Sequence, residues 1–440
     1  MKSLRCPAVS STLLNPAIDP SARTLVSAAL IADGTGFSAA PGAMLIEGRR
    51  VVAVGSPESI GRVGEATRLV LDREAVLPAL VNAHTHLDLS HIGPRPYDGD
   101  FISWINAVRA LRATSSGEEA RAIRRGIDLS LAGGVAAVGD IAGVRSLVSH
   151  QELSRSPLGG VSFIEVFGVG PRQQLAIDFM RSIAARVGDT PSNCGVRLGL
   201  QPHAPYSCGP EVFLEARRLA QSHGIPLSTH LGETLEELRF ATDGDGPFAE
   251  LLQGLGLWDR SMACLGSHPL EALAAAFEGV PWIAAHLNYL PTGGLERLAA
   301  LPMTVAYCPR ASAYFGHPQG SHAPHAYRAM LERGIKVAIG TDSILCLDTP
   351  DRLSPLDEVR FLLERDGTDP TVLLGMATVN GALALGLPAA AFSVGHADGV
   401  TPLAGLLAIA IASGTRDARG MLADALRSAT LPRWLLPPRR

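Results

Sequence analysis

The chain has 440 residues, which suits two or three average domains or one large barrel with an appended small domain. Hydrophobic residues make up 47% of the chain and charged residues 18%, a balance that excludes an intrinsically disordered protein. A formal net charge of −4 and an aromatic content of 5% argue against nucleic-acid binding, so we expect no nucleic-acid partner.

The cysteine pattern and the apolar segments narrow the protein class further. The six cysteines are scattered without any CxxC spacing, which argues against a disulfide framework and against a thiolate zinc site. The N-terminus lacks the apolar run of a secretory signal, and the apolar segment Leu403–Ala412 is too short to span a bilayer. We therefore expect a cytoplasmic protein with no membrane partner.

The two ends of the chain share a texture of short apolar runs. Near the N-terminus we predict strands at Leu25–Ile31, Ala43–Ile46 and Arg50–Val54, the last two joined by a hairpin turn. Leu403–Ala412 is a predicted buried strand near the other end. We expect residues 1–74 and 388–440 to form one small β-sandwich domain, with a poorly ordered tail after Leu431.

Residues 75–387 alternate between short apolar runs and amphipathic helical patterns. The helical patterns include Ile105–Ala132 and Pro210–His223. Strict alternation requires a parallel sheet, and eight units predict an α/β fold of the (β/α)8 TIM-barrel type; an open doubly wound sheet is the alternative. The eight predicted strands are Ala75–Ala83, Gly134–Ile141, Val161–Val169, Val196–His203, Pro226–His230, Trp282–Leu287, Thr304–Cys308 and Lys336–Asp342.

Histidines and acids stand where several of these strands end. His84 and His86 are two residues apart at the end of the first strand, so both imidazoles can face one metal ion. His230 ends the fifth strand, with Glu233 three residues later, and Asp342 ends the eighth. Taken singly, each has a plain structural alternative: a chance His-x-His, a solvated acid at a helix start, or a helix N-cap.

Two further histidines occupy the same kind of position. His203 ends the fourth strand and His286 ends the sixth. Because the active sites of (β/α)8 barrels assemble at the carboxyl ends of the strands, the joint placement favours one metal-dependent active site over separate structural roles. Of the other histidines, His317, His322 and His325 are expected to be solvated loop residues, and the acids beside Glu233 are expected to be solvated at a helix start.

These motifs resemble the amidohydrolase superfamily. The similarity runs from Leu77–His86 to Gly340–Ser343, with a further match at Asn380–Gly386. The strings around His203 and His230 resemble the branch that contains purine and nucleoside aminohydrolases and chlorohydrolases. Within that branch the segments Leu80–Ser90, Phe101–Trp104 and Leu227–Glu237 are most similar to the aminodeoxyfutalosine deaminases of menaquinone synthesis.

The resemblance implies one divalent metal ion bound by His84, His86, His230 and Asp342. Imidazole ligands favour Zn²⁺, with Fe²⁺ or Ni²⁺ as alternatives. Binuclear members of the superfamily bridge their metals with a carboxylated lysine near the fourth strand. That strand has no lysine here, which favours a mononuclear centre.

The resemblance also implies catalytic roles. Glu233 shuttles protons, His286 orients the attacking hydroxide, and His203 touches the substrate. We expect Asp342 to hold the hydroxide together with His286. Trp104 follows the His-x-His motif and is a candidate aromatic face for a purine, with a buried anchor for the following helix as the alternative. The loop after Asp342 lacks the asparagine that this subgroup often carries.

Three functions remain open at this point. The first is hydrolytic deamination of an adenine-bearing small molecule of the aminodeoxyfutalosine type, or of methylthioadenosine or S-adenosylhomocysteine. The second is guanine deamination or removal of chloride from a heteroaromatic ring. The third is a barrel scaffold without catalysis, which would be expected to lack ligands that this chain retains. We expect a small-molecule substrate, and a homo-oligomer is possible.

Overall fold

The computed structural model describes residues 17–143, 146–187, 195–258, 262, 264–320, 322–395, 399–412 and 417–439. Their strands are, in chain order, β1 (Arg23–Ala32), β2 (Ser38–Ala39), β3 (Gly42–Glu47), β4 (Arg50–Gly55), β5 (Thr67–Pro78), β6 (Leu80–Thr85), β7 (Val135–Ala142), β8 (Gly159–Val166), β9 (Val196–Pro202), β10 (Leu227–Leu231), β11 (Trp282–His286), β12 (Met303–Tyr307), β13 (Lys336–Ile339), β14 (Leu406–Ala410) and β15 (Arg433–Leu436).

The helices lie mostly between the strands of the barrel. They are α1 (Pro57–Ile60), α2 (Phe101–Leu111), α3 (Ser116–Ala132), α4 (Val148–Ser154), α5 (Gln173–Ala184), α6 (Pro210–His223), α7 (Leu235–Asp243), α8 (Pro247–Gly254), α9 (Pro269–Ala272), α10 (Ala274–Phe277), α11 (Gly294–Ala299), α12 (Pro309–Tyr314), α13 (Tyr327–Glu332), α14 (Pro355–Asp366), α15 (Pro370–Met376), α16 (Val379–Ala384) and α17 (Ala418–Arg427). Among the described residues, no helix combines the length and the apolar character needed to cross a membrane.

The eight strands β6–β13 form the predicted barrel. They are hydrogen-bonded in sequence order, and each strand runs parallel to its neighbours. A parallel bridge between Thr85 and Asp342 joins the first strand to the chain just beyond the last one. The Asn82 side chain adds two hydrogen bonds to Thr341 across the same seam, at 2.8 and 3.1 Å. The sheet therefore curves round to meet itself, which excludes the open doubly wound alternative.

The two ends of the chain pair in one flanking sheet. Its strand order is β15–β14–β5–β1–β3–β4, with β2 paired to β1. The predicted hairpin joins β3 to β4, and Gly48 at its turn has a φ of 63°, which a glycine adopts without strain. Because β5 pairs with β1 on one side and β14 on the other, both ends contribute to a single sheet of seven strands.

Two local predictions fail at points where the chain changes partners. The predicted strand Ala75–Ala83 is divided between β5 of the flanking sheet and β6 of the barrel, so the predicted domain boundary after residue 74 lies within β5. The helix predicted over Ile105–Ala132 is two helices, α2 and α3, and Ser115 caps the start of the second. At the first point the apolar run continues while the chain passes from one sheet to the other. At the second, the short polar segment 112–115 separates the two helices.

The expectation of a poorly ordered tail after Leu431 is wrong. Residues Arg433–Leu436 form β15, which pairs antiparallel with β14. Trp434 is 3% exposed, and its indole N–H donates a hydrogen bond to the Leu131 carbonyl at 2.9 Å. The aromatic side chain therefore ties the end of the chain to helix α3.

Candidate active site

A cavity of about 860 Å³ opens at the carboxyl ends of the barrel strands. Seven of the predicted functional residues line its wall: His86, Trp104, His203, His230, Glu233, His286 and Asp342. Parallel strands bring their carboxyl ends to the same rim of the barrel, so residues far apart in the chain converge here.

Three histidines form the centre of the site. Ligand atoms of His84, His86 and His230 all lie within 4.8 Å of one another, and all three residues are buried. Both ring nitrogens of His84 and Nδ1 of His86 are buried without a hydrogen-bond partner. His230 Nδ1 donates to the His203 carbonyl at 2.9 Å, which leaves its Nε2 as the ligand atom. Buried imidazoles without partners at this spacing fit a divalent ion with nitrogen ligands.

Asp342 places a carboxylate beside two of these histidines. Its Oδ1 lies 3.4 Å from His86 Nε2 and 4.0 Å from His84 Nε2. The backbone N–H of Asp342 donates to the His84 carbonyl at 3.1 Å, so the two strand ends are held together at the site. Asp342 has a φ of 56°, a left-handed conformation that aspartate tolerates better than most residues. Burial raises its pKa to about 6.

Glu233 and His286 form a second pair beside the histidine cluster. His286 Nε2 lies 3.7 Å from Glu233 Oε1. The backbone of His286 is strained, with a φ of 69°, and His325 Nε2 donates to its carbonyl at 2.8 Å. His325 is 7% exposed, so the expectation that it is a solvated loop residue is wrong. Its hydrogen bond to the His286 carbonyl supports the backbone of His286.

The loop that carries Glu233 is held by buried hydrogen bonds. The Glu237 carboxylate accepts the backbone N–H groups of Gly232 and Glu233, each at 2.8 Å, and Asn288 Nδ2 donates to the Glu233 carbonyl at 3.0 Å. The expectation that Glu237 is solvated is therefore wrong, since its side chain is 0% exposed. Burial, followed by the charges of Asp342 and Glu237, raises the pKa of Glu233 well above its ordinary range. Glu233 is thus suited to hold a proton at neutral pH.

The two predicted substrate contacts also face the cavity. His203 stacks on Phe167 with ring centroids 4.3 Å apart and bonds Ser207 Oγ through Nδ1 at 2.6 Å. Trp104 is partly buried and has Tyr97 and Phe315 as aromatic neighbours. Trp104 therefore lies in the cavity wall and in an aromatic cluster at once.

Sequence reasoning missed Glu165 and Arg112. Glu165 is 1% exposed at the end of β8, with Oε1 3.7 Å from His203 Nε2. Arg112, just after α2, lies 3.6 Å from Glu165 Oε2 and 2.9 Å from the Asp88 carboxylate. Glu165 lies near the end of an apolar strand, as the histidines do, so a search for polar residues at the carboxyl ends of the strands (the strand-end rule) could have identified it. No such pattern marks Arg112.

Comparisons with known proteins agree with this geometry. Aminodeoxyfutalosine deaminase of Deinococcus radiodurans is 26% identical over 386 residues, covering 82% of this chain and 85% of the relative. A 5-methylthioadenosine/S-adenosylhomocysteine deaminase of Desulforamulus reducens is 26% identical over 79% of this chain and 76% of its own length.

A solved structure shows the same fold. It is Helicobacter pylori aminofutalosine deaminase in complex with methylthio-coformycin, which superposes with a TM-score of 0.76 at 22% identity. The superposition covers 95% of this chain and 100% of the other. The sequence model of the Amidohydrolase family matches residues 75–397, which is most of the chain. The chain therefore belongs to the amidohydrolase family.

Proposed function

We propose that this chain is a metal-dependent hydrolytic deaminase of an adenine-bearing small molecule. The observation that carries the proposal is the convergence of three buried histidines, a carboxylate and the Glu233–His286 pair at one large cavity. The relatives support the reaction class, since both are named as deaminases of adenine-type compounds. A scaffold without catalysis would not need to keep each of these groups.

The residues that would hold the metal are His84, His86, His230 and Asp342. Imidazole suits zinc, and we propose Zn²⁺, with Fe²⁺ or Ni²⁺ as alternatives. A divalent ion at such a site lowers the pKa of a bound water to about 7 and so supplies hydroxide at neutral pH. Burial lowers the pKa values of His84 and His86 well below the ordinary range, which keeps both imidazoles neutral, as metal ligands must be.

Glu233 would move the protons of the reaction. Its raised pKa lets it deliver a proton to the ring nitrogen next to C6, which makes C6 electrophilic. His286 and Asp342 would orient the attacking water towards C6. The oxygen of water bonds to C6 while Glu233 accepts a proton from that water. Glu233 then passes this proton to the exocyclic nitrogen, the bond from C6 to that nitrogen breaks, and the amine leaves as ammonia. Glu233 takes up the remaining proton of the hydroxyl group on C6, which leaves the 6-oxo product.

The identity of the substrate is a more specific proposal. We place aminodeoxyfutalosine first and methylthioadenosine or S-adenosylhomocysteine second, because relatives with these names cover about four-fifths of the chain. Trp104 would offer an aromatic face to the purine, and His203 a polar contact. With aminodeoxyfutalosine as the substrate, we propose a role in menaquinone synthesis in the cytoplasm.

The test is a steady-state assay with these three compounds, guanine and a chlorinated triazine. We expect ammonia release and loss of the adenine-type absorbance from at least one of the first three. Glu233→Gln should keep its metal and lower kcat by about 10²-fold or more. The control Glu250→Gln, at an exposed position on α8, should leave kcat unchanged. Consumption of guanine or the triazine alone would show that the proposal is wrong.

A further inference from the structure

The cavity wall holds a pair of polar groups, Glu165 and His203, of which the proposed function uses only His203, as a polar contact to the substrate. Glu165 Oε1 and His203 Nε2 lie 3.7 Å apart, too far for a hydrogen bond between them, and both residues line the cavity. Glu165 is 1% exposed, so little bulk water reaches its carboxyl group. Buried polar groups usually have partners, and the missing partner here points to a ligand.

Hydrogen bonds define which nitrogen of His203 is the acceptor. Ser207 has one hydroxyl proton, and it donates that proton to the Ala204 carbonyl at 3.1 Å. We assign to His203 the tautomer in which Nδ1 carries the ring proton and donates to Ser207 Oγ at 2.6 Å, because it lets the Ser207 hydroxyl donate to the Ala204 carbonyl at the same time. In the neutral ring Nε2 is then an acceptor, and it faces a second acceptor, the Glu165 carboxylate.

Glu165 has no hydrogen-bond donor within the described part of the chain. Its Oε2 is buried without a hydrogen-bond partner. The guanidinium of Arg112 balances the charge, but its Nη2 is 3.6 Å from Oε2, and its Nη1 is bonded to Asp88 at 2.9 Å. The site thus presents two acceptors and needs a donor from the molecule that binds.

We propose that Glu165 and His203 accept hydrogen bonds from hydroxyl groups on the N9 substituent of the substrate, which makes Glu165 a specificity-determining residue. This inference rests on the proposed function. An adenine substituted at N9 offers only acceptors at N1, N3 and N7, and its one donor group, the 6-amino group, is at the reacting carbon. The donor must therefore come from the substituent, and a sugar hydroxyl has the right chemistry. The substrate class is a hydroxyl-bearing adenine nucleoside rather than an adenine with an apolar N9 group.

The experiment compares adenosine with its 2′-deoxy, 3′-deoxy and 5′-deoxy analogues and with 9-methyladenine on the metal-loaded enzyme. We expect kcat/KM to fall by about 10-fold or more for 9-methyladenine and for at least one deoxy analogue, the scale of a hydrogen bond to a charged group. In Glu165→Gln this preference should become smaller, because the amide presents a donor in place of one acceptor while His203 still accepts. Glu165→Asp, which keeps the charge but shortens the side chain, should weaken the preference.

The matched control is Glu215→Gln. Glu215 is also a buried carboxylate, 5% exposed, and it pairs with Arg181 and Arg218 on the outside of the barrel. This control should retain the preference for hydroxyl groups. Metal content and melting temperature are measured for every variant, so that a folding defect is recognised.

Two results would overturn the inference. One is equal kcat/KM for adenosine and all its deoxy analogues in the wild-type enzyme, which needs no variant to fold. The other is an unchanged preference in folded Glu165→Gln. If the wild-type enzyme deaminates none of these compounds, the proposed function fails, and calorimetric Kd values for the same series then decide the inference. Equal Kd values for adenosine and 9-methyladenine would refute it.

Discussion

Asn82 closes the barrel at the metal site, and its replacement should weaken both the fold and metal binding. Asn82 Nδ2 donates to Thr341 Oγ1 at 2.8 Å, and Asn82 Oδ1 accepts the Thr341 backbone N–H at 3.1 Å. Both residues are 0% exposed. Asn82→Ala removes both bonds, and at a net 0.5–1.5 kcal/mol each the free energy of unfolding should fall by about 1–3 kcal/mol.

The same substitution should lower metal affinity because the ligands straddle this seam. His84 is in β6 with Asn82, whereas Asp342 directly follows Thr341. Outer partners of metal ligands typically contribute 10–100-fold to affinity, so we expect the metal Kd to rise by about 10-fold or more.

Urea unfolding of the metal-free protein and titration against a competing chelator measure the two effects separately. Asn380→Ala is the control, because Asn380 Nδ2 also bonds β13, at the Val337 carbonyl, but away from the ligands. Its cost should be about 1 kcal/mol, with metal affinity unchanged. If Asn82→Ala keeps both the wild-type free energy of unfolding and the wild-type metal Kd, the seam does not organise the site.

Three further predictions address the metal, the C-terminal strand and the loop beneath Glu233. The purified protein should carry close to one equivalent of divalent metal by elemental analysis, and His84→Ala should lose both metal and activity; two equivalents would contradict a mononuclear centre. Trp434→Ala should lower the free energy of unfolding by about 3–5 kcal/mol in urea unfolding, because it empties a buried site and removes the indole hydrogen bond to the Leu131 carbonyl. Burial raises the pKa of Glu237 from 4.5 to about 7, so its contribution to stability is fully present below pH 4.5 and is lost as the pH rises through about 7. The difference in unfolding free energy between the wild type and Glu237→Gln should therefore change across pH 4.5–7, and a constant difference would contradict the buried, titrating carboxyl group.

The barrel was predictable because its signal is local and repeated. Each strand of a parallel sheet covered by helices is a short apolar run, and the eight runs match β6–β13 within a few residues except at the first. The exception, Ala75–Ala83, is informative. Pro78 ends β5 and Leu80 begins β6, so one apolar run serves two sheets, and hydrophobicity does not record which sheet a residue joins.

The C-terminal strand shows the same limit at longer range. A Pro-rich, Arg-rich tail predicts disorder by composition, yet β15 is held by β14 and by a carbonyl in α3 about 300 residues earlier. Neither partner is visible in the local pattern. Tertiary contacts therefore override a prediction of disorder from composition where the hydrogen-bonding partners of a segment lie far away in the chain.

The strand-end rule located histidines more readily than carboxylates, and the reason is physical. Histidine is uncommon, so its recurrence at strand ends is informative, whereas Asp and Glu are common in first helical turns, where they interact with the helix dipole. Glu237 is in such a turn but faces inward, because the N–H groups of Gly232 and Glu233 need an acceptor inside the protein. Glu165 has the opposite environment: it is equally buried, but no backbone N–H reaches it. Two buried acids of the same type thus differ in whether backbone N–H groups bond them. Glu237 receives such bonds and supports the loop of Glu233, whereas Glu165 has the charge of Arg112 nearby but no backbone donor, and we propose that the substrate supplies its donor.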